Sequence, residues 1–221
     1  EMYDLTIRAF NLAEKYRVPV FVAADEAVAH ARENVEFHDN YEIVDRVRKG
    51  EGAPFGHDAP DGVPVMPAFG DGAALMVTGS THDPKGFRKV DDPVVHDTLV
   101  TRLMHKTMDH VEEIVETEDY YLDDADIGFF SFGISARTSM AAVRRLREKG
   151  IKAGLLRTRT LWPFPESQVT ELGKQVRAVI VPELNKGMYA SVVRAYSRAP
   201  VHQINKTNGY VLEPKELIRY V

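Results

Sequence analysis

The stretch Asp126-Ile-Gly-Phe-Phe-Ser-Phe132 reads as a β-strand and opens a repeat that decides the fold. Ser135 has the chemistry to cap a helix running to about Lys149, and Gly150 is placed to stop it. Ile151–Leu156 is a second strand. Pro165 opens a helix that continues through Gln175, and Arg177–Val181 is a third strand. A helix from Gly187 to Ser197, a strand at Val201–Asn205 and a short helix from Glu213-Pro214 complete the run. The strands begin at residues 126, 151, 177 and 201, with helices in the intervals. Connections of that length predict right-handed crossovers and a parallel sheet. The expected fold class is α/β, a parallel sheet with helices on both faces.

Upstream of the repeat, Leu99, Leu103, Met104, Val111, Ile114 and Val115 mark the apolar stripe of a helix that begins at His96. Glu112, Glu113, Glu116, Glu118 and Asp119 make its end acidic, which reads as a solvated face. Between Glu36 and Val95 periodicity disappears. Gly50, Gly52, Pro54, Gly56, Pro60, Gly62, Pro64, Pro67, Gly70 and Gly72 fill this stretch with chain breakers, so it reads as loops. A loop region this long is functional, a linker, or both. At the start, Leu5, Ala9, Leu12, Ala13 and Tyr16 follow helical spacing behind Asp4 as cap. Val18–Ala24 then reads as a buried strand. One helix and one strand cannot bury their apolar faces alone. Either they end a domain whose earlier part is missing, or they join the later sheet. The expected division is 1–35, the end of a first domain; 36–95, an irregular linker with a possible active-site loop; and 96–221, the α/β domain.

Composition narrows the function classes. The net charge of −5 disfavours nucleic acid, whose binders show a basic stripe. No apolar run reaches the ~20 residues that span a bilayer, and Glu1, Asp4 and Glu14 are not those of a signal peptide. A cytoplasmic setting is expected. The chain has no cysteine, so it holds neither a disulfide, nor a thiolate nucleophile, nor a cysteine-ligated iron–sulfur cluster. Its eight histidines show no metal-ligand spacing, and no metal is expected on this chain.

Ligands of open parallel sheets gather beyond the carboxyl ends of the strands. Three segments meet that description. Gly133–Arg137 resembles a phosphate loop only faintly, and a serine-capped turn is the plainer reading. Thr158-Arg-Thr-Leu-Trp-Pro-Phe-Pro165 is a rigid aromatic segment, suited to an interface or to plugging a core edge. Pro182-Glu-Leu-Asn-Lys-Gly187 brings Glu183 and Asn185 out of a strand together, with Gly187 allowing close backbone approach; a simple turn is the alternative. Outside the sheet, Thr78-Gly-Ser-Thr-His-Asp-Pro-Lys-Gly86 is the densest polar cluster. Thr78, Gly79, His82 and Asp83 are its candidate site residues. Asp83 either orients His82 or forms an Asx-turn before Pro84.

Taken in order, AFNLAEKYRVPV (9–20), Asp25-Glu26, TGSTHDPKG (78–86), GIKAGLLRTRTLWPFPE (150–166) and VPELNKG (181–187) resemble the alpha subunit of 2-oxoacid:ferredoxin oxidoreductases, most closely the 2-oxoglutarate type. The likeness covers nearly the whole chain. It implies a thiamine-diphosphate enzyme that oxidatively cleaves a 2-oxoacid to CO2 and an acyl-CoA and passes electrons to ferredoxin. It also implies a transketolase-C-like domain at the end of the chain, preceded by the end of a pyrimidine-binding domain. Thiamine diphosphate and Mg2+ would be held mostly by other parts, and iron–sulfur clusters by a beta subunit, with gamma and delta subunits as further partners. The family glutamate that activates the cofactor ring has no match here, so no catalytic residue is carried over. Ser80 and Thr81 depart from the bulkier and the acidic residue usual at those positions. The alternative implied role is a non-catalytic assembly module of such a complex.

Overall fold

A computed structural model describes every residue except Glu51, His57 and Asp58. Its helices are α1 (Met2–Tyr16), α2 (Glu26–Ala29), α3 (Pro93–Met108), α4 (Val111–Ile114), α5 (Gly133–Glu148), α6 (Glu166–Gln175), α7 (Met188–Tyr196) and α8 (Pro214–Ile218). Its strands are β1 (Thr117–Tyr120), β2 (Ile127–Ser131), β3 (Ala153–Thr158), β4 (Ala178–Glu183) and β5 (Val201–Asn205). They group into two compact units: Glu1–Ala23 with Asn34–Ile114, and Ala24–Glu33 with Val115–Val221.

The second unit is the α/β domain. Its sheet runs β1-β3-β2-β4-β5, with β2, β3, β4 and β5 parallel. Successive side chains of a strand point to opposite faces, and the adjacent Phe129 and Phe130, both fully buried, enter different cores. Phe130 joins Leu156, Val179 and Val181 against Val169 and Leu172 of α6 and Val193 of α7. Phe129 joins Leu155 and Ile180 against Val143 and Leu146 of α5 and Leu217 of α8. Helices therefore cover both faces, as expected. The chain runs from β2 outward to β3 and then returns to β4 on the other side of β2. The order reverses between β2 and β4, which marks the topological switch point.

The sheet is not wholly parallel. β1 pairs antiparallel with β3, with Glu118 opposite Arg157. The carboxylate of Glu118 accepts from Arg157 at 2.9 Å, and Glu116 and Glu118 both pair with Arg159. The acidic stretch read as a solvated helix face is thus partly an edge strand held by two arginines. The helical stripe that preceded it breaks at Asp109–His110.

The first unit is organised by α1. Asp4 meets His38, Asn11 bonds the Glu42 carbonyl and the Val44 amide, Glu14 pairs with Arg46, and Arg17 donates to the carbonyls of Pro54, Pro64 and Val65. These positions recur at helical spacing, so one face of α1 ties down the loop that follows. On its other contacts, Tyr16 is buried and donates to Glu113 at 2.9 Å, while Arg8 reaches the carbonyl of Ile114 at 3.0 Å. α3 lies against the turn at Pro60–Gly62. Helix α3 thus groups with the loops rather than with the sheet, and residues 24–33 group with the sheet, a different partition from boundaries at 35 and 95.

Val18–Ala24 forms no strand, which corrects the sequence reading. Phe21 is 89% exposed and Val22 41%. A strand exists only with a neighbour's hydrogen-bond ladder, and no described residue supplies one here.

Candidate functional site

The carboxyl end of β4 brings Glu183, Asn185 and Gly187 together. Glu183 is 1% exposed. Its two carboxylate oxygens accept from the backbone amides of Tyr189 at 2.9 Å and Ala190 at 2.8 Å. Asn185 accepts through Oδ1 from the amides of Gly187 and Met188, and its carbonyl takes a hydrogen bond from Asn205. Gly187 is the N-cap of α7 with φ 91°, and a Cβ there would lie 2.5 Å from Oε1 of Gln203. The side chains of Glu183 and Asn185 together satisfy the orphan amides of one helix start. An anion is the natural occupant of a helix N-terminus, and here the chain's own carboxylate fills that place. Burial and Glu183 together push the Tyr189 hydroxyl up to about 12.

The end of β2 is closed the same way, by a residue the sequence reading did not single out for this role. Helix α5 begins at Gly133, and Ser135 lies buried inside it rather than at its cap. The acceptor comes from Asp25, whose Oδ2 receives the amide of Ile134 at 2.7 Å. Gly133 is required by that contact: its φ is 54°, and a Cβ would sit 2.2 Å from Asp25 Oδ2. Glu33 pairs with Arg137 on the same helix. Beneath this helix start the hydroxyl of Ser131 is buried and makes no hydrogen bond among the described residues.

In the aromatic segment, Phe164 and Trp162 part company. Phe164 is buried against Phe130, Tyr189 and Tyr196, while Trp162 is 68% exposed. The segment plugs the core with one ring and presents the other to solvent.

The 78–86 loop lies in the first unit. Thr78 Oγ1 accepts from the amide of Ser80, and Thr81 meets His96. Asp83 does not touch His82. Its Oδ1 accepts from the amides of Lys85 and Phe87, the Asx-turn of the two alternatives. His82 Nδ1 pairs with the carbonyl of Ser80 at 2.8 Å, and the ring packs edge-on to Phe55 at 4.8 Å. Its Nε2 is buried without a partner among the described residues, an unusual state for a buried ring nitrogen. A Cβ on Gly79 would meet open space. Of the four candidates, His82 alone has a buried side-chain polar atom without a partner among the described residues.

Phe55 links this loop to a group that sequence spacing did not reveal. The Arg17 guanidinium sits 5.5 Å from the centre of the Phe55 ring. Lys106 Nζ donates to the Arg17 carbonyl at 2.8 Å, and Arg102 stands one turn before Lys106 on α3, where a Cβ on Gly62 would lie 4.0 Å from Arg102 Cγ and 3.8 Å from Lys106. Arg102 and Lys106 are 9% and 4% exposed. Burial, and then its neighbours Arg102 and Arg17, push the Lys106 ammonium down to about 8. Burial, with Arg102 and Arg46 adding to it, lowers Arg17 to about 10.

Two family models match: "Pyruvate flavodoxin/ferredoxin oxidoreductase, thiamine diP-bdg" over residues 1–102, and "Pyruvate:ferredoxin oxidoreductase core domain II" over residues 125–217. The 2-oxoglutarate synthase subunit KorA of Methanocaldococcus jannaschii is 44% identical over 225 residues, taking in 100% of this chain and 60% of the relative. KorA of Methanothermobacter marburgensis is 41% identical, again over 100% of this chain and 60% of its own length. Among solved structures, a 2-oxoglutarate:ferredoxin oxidoreductase from Magnetococcus marinus with 2-oxoglutarate, coenzyme A and succinyl-CoA bound superposes with a TM-score of 0.83 at 25% identity, covering 95% of this chain and 38% of that one. The chain thus spans about 60% of the length of the curated relatives it matches.

Proposed function

We propose that the chain belongs to the ferredoxin-linked 2-oxoacid oxidoreductases and is a portion of the alpha subunit of a thiamine-diphosphate-dependent 2-oxoglutarate:ferredoxin oxidoreductase. The assembled enzyme would convert 2-oxoglutarate and CoA to succinyl-CoA and CO2, with two electrons passing to ferredoxin. The observation that carries this reading is the 44% identity to a 2-oxoglutarate synthase subunit along the full chain.

The reading assigns thiamine diphosphate and Mg2+ mainly to parts of the relatives that this chain does not span. Iron–sulfur clusters go to partner subunits, because a chain without cysteine offers no thiolate ligand. A beta subunit is the expected immediate partner, with gamma and delta subunits completing the complex. No helix among the described residues is long and apolar enough to cross a membrane, in keeping with a cytoplasmic enzyme. Within this chain the reading assigns the loop Thr78, Gly79, His82, Asp83 to the neighbourhood of substrate or cofactor, and the His82 Nε2 without a partner among the described residues supports it.

The test is assembly followed by assay. The chain, co-expressed with the remaining alpha portion and a beta subunit, is expected to co-purify and to support 2-oxoglutarate- and CoA-dependent reduction of a viologen dye. A complete assembly that turns over no 2-oxoacid overturns the reading. One observation favours the alternative of a non-catalytic assembly module: the helix starts after β2 and β4 are both filled by the chain's own carboxylates. Activity of a complex lacking this chain would establish that alternative.

A further inference from the structure

We propose that Arg17, Arg102 and Lys106 form a binding site for a phosphoryl group. The argument starts from charge. Three cations share one small volume of the first unit, and none forms an ion pair with an acidic side chain among the described residues. Nearby Glu14 is committed to Arg46. Burying a charge without a counter-charge is costly, and buried cations are ordinarily paired.

The backbone supplies only part of the compensation. Lys106 holds the carbonyl of Arg17, the C-cap of α1, and itself lies in the last turn of α3. A helix C-terminus carries roughly half a negative charge. Two such ends offset about one of three positive charges, and no acidic side chain among the described residues pairs with the remainder. Burial first, and then the neighbouring Arg102 and Arg17, lower the proton affinity of Lys106.

Donor geometry selects the class of anion. Arg17 spends Nη1 on three carbonyls, and Lys106 spends one hydrogen on one carbonyl. These bonds fix both groups while leaving further N–H donors. Arg102 makes no hydrogen bond or ion pair among the described residues, so its whole planar fork is open. Two guanidinium groups and an ammonium match a tetrahedral phosphoryl group, whose oxygens accept from several directions and take Arg donors in pairs. A planar carboxylate accepts fewer bonds and carries one charge. The site uses none of the side chains assigned to the 78–86 loop, although Phe55 packs against both His82 and Arg17.

The experiment is a titration of the full chain in phosphate-free, low-salt buffer, with inorganic phosphate and pyrophosphate as probes, followed by calorimetry and thermal unfolding. Either probe at tenfold excess over its Kd is expected to raise the unfolding midpoint by about 3 °C, saturably, with no effect from chloride at equal ionic strength. Arg102→Met is expected to unfold at a higher temperature than the parent without phosphate, because an unpaired buried cation is gone, and to lose the phosphate shift. Lys106→Met is expected to behave alike, while Lys174→Met, an exposed lysine of the other unit, keeps the full shift. Absence of binding by both probes overturns the proposal. So does a shift that persists in both variants, or an equal response to succinate, which would mark a carboxylate site. Should Arg102→Met not fold, Arg102→Lys keeps the charge and removes the fork. Its affinity for pyrophosphate is expected to fall at least fivefold, and an unchanged affinity overturns the proposal as well.

Discussion

Asp25 accepts a hydrogen bond from the backbone amide of Ile134 at 2.7 Å, across a sequence separation of 109 residues. The contact is the N-terminal cap of α5, and no residue near the helix in sequence provides it. Loss of a capping side chain costs about 1 kcal/mol. Asp25→Ala should therefore lower the unfolding midpoint of the α/β unit by about 2–4 °C, with Asp25→Asn retaining part of the effect. Gly133→Ala should cost more than Asp25→Ala, since it adds left-handed strain to the collision with the Asp25 carboxylate. Urea unfolding of the three variants measures this, and an Asp25→Ala chain as stable as the parent would refute the assigned role.

Glu183 is a stronger case because it is buried and serves two amides. Glu183→Ala would strand both donors, at roughly 2–4 kcal/mol. Glu183→Gln keeps one good acceptor and should lose less than half as much. Equal losses in the two variants would mean that packing, not hydrogen bonding, fixes the position.

Lys106 predicts a pH dependence. Its folded pKa of about 8 lies below the ordinary 10.5, with Arg102 and Arg17 as the facing charges. Between those values the unfolded chain binds more protons than the folded one, so stability should rise with pH across that window. The ceiling is about 3 kcal/mol, at about 1.4 kcal/mol for each pH unit of difference. Below pH 8 the full penalty of the charged lysine is present. In phosphate-free buffer the difference in stability between the parent and Lys106→Met should therefore change from pH 7.5 to 10.5. A constant difference would show that the ammonium feels no excess positive field.

His82 is the test of the 78–86 loop in the assembled enzyme. His82→Ala should lower turnover at least about tenfold without dissociating the complex, because its Nε2 is buried without a partner among the described residues. Asp83→Ala should instead act through stability, since its carboxylate builds a turn. Unchanged kinetics in His82→Ala would remove the loop from the active site.

The α/β repeat was legible because it is written locally. Each strand and helix of residues 126–218 carries its own apolar pattern and its own stops. Edge strand β1 was not, since Glu118 within it and Glu116 just before it are explained only by Arg157 and Arg159. Val18–Ala24 shows the opposite failure. Its β-branched, apolar run correctly advertises a need for partners, but composition cannot say whether a ladder is at hand. Site residues divide on the same line. The turn role of Asp83 was among the readings its Asp-Pro signal allowed. The capping role of Asp25 and the gathering of Arg17, Arg102 and Lys106 depend on separations of 85 residues or more, for which no local pattern exists.

The grouping of Ala24–Glu33 with the sheet has a consequence for the order in which the molecule is made. Translation delivers Asp25 first and Ile134 only 109 residues later. At about 5–20 residues per second that is a wait of roughly 5–20 s. During it, the early segment is without the helix it caps, while the residues of the other unit are completed around it in sequence. A gene shortened to begin at residue 115 would encode every strand of the sheet and yet leave the start of α5 uncapped.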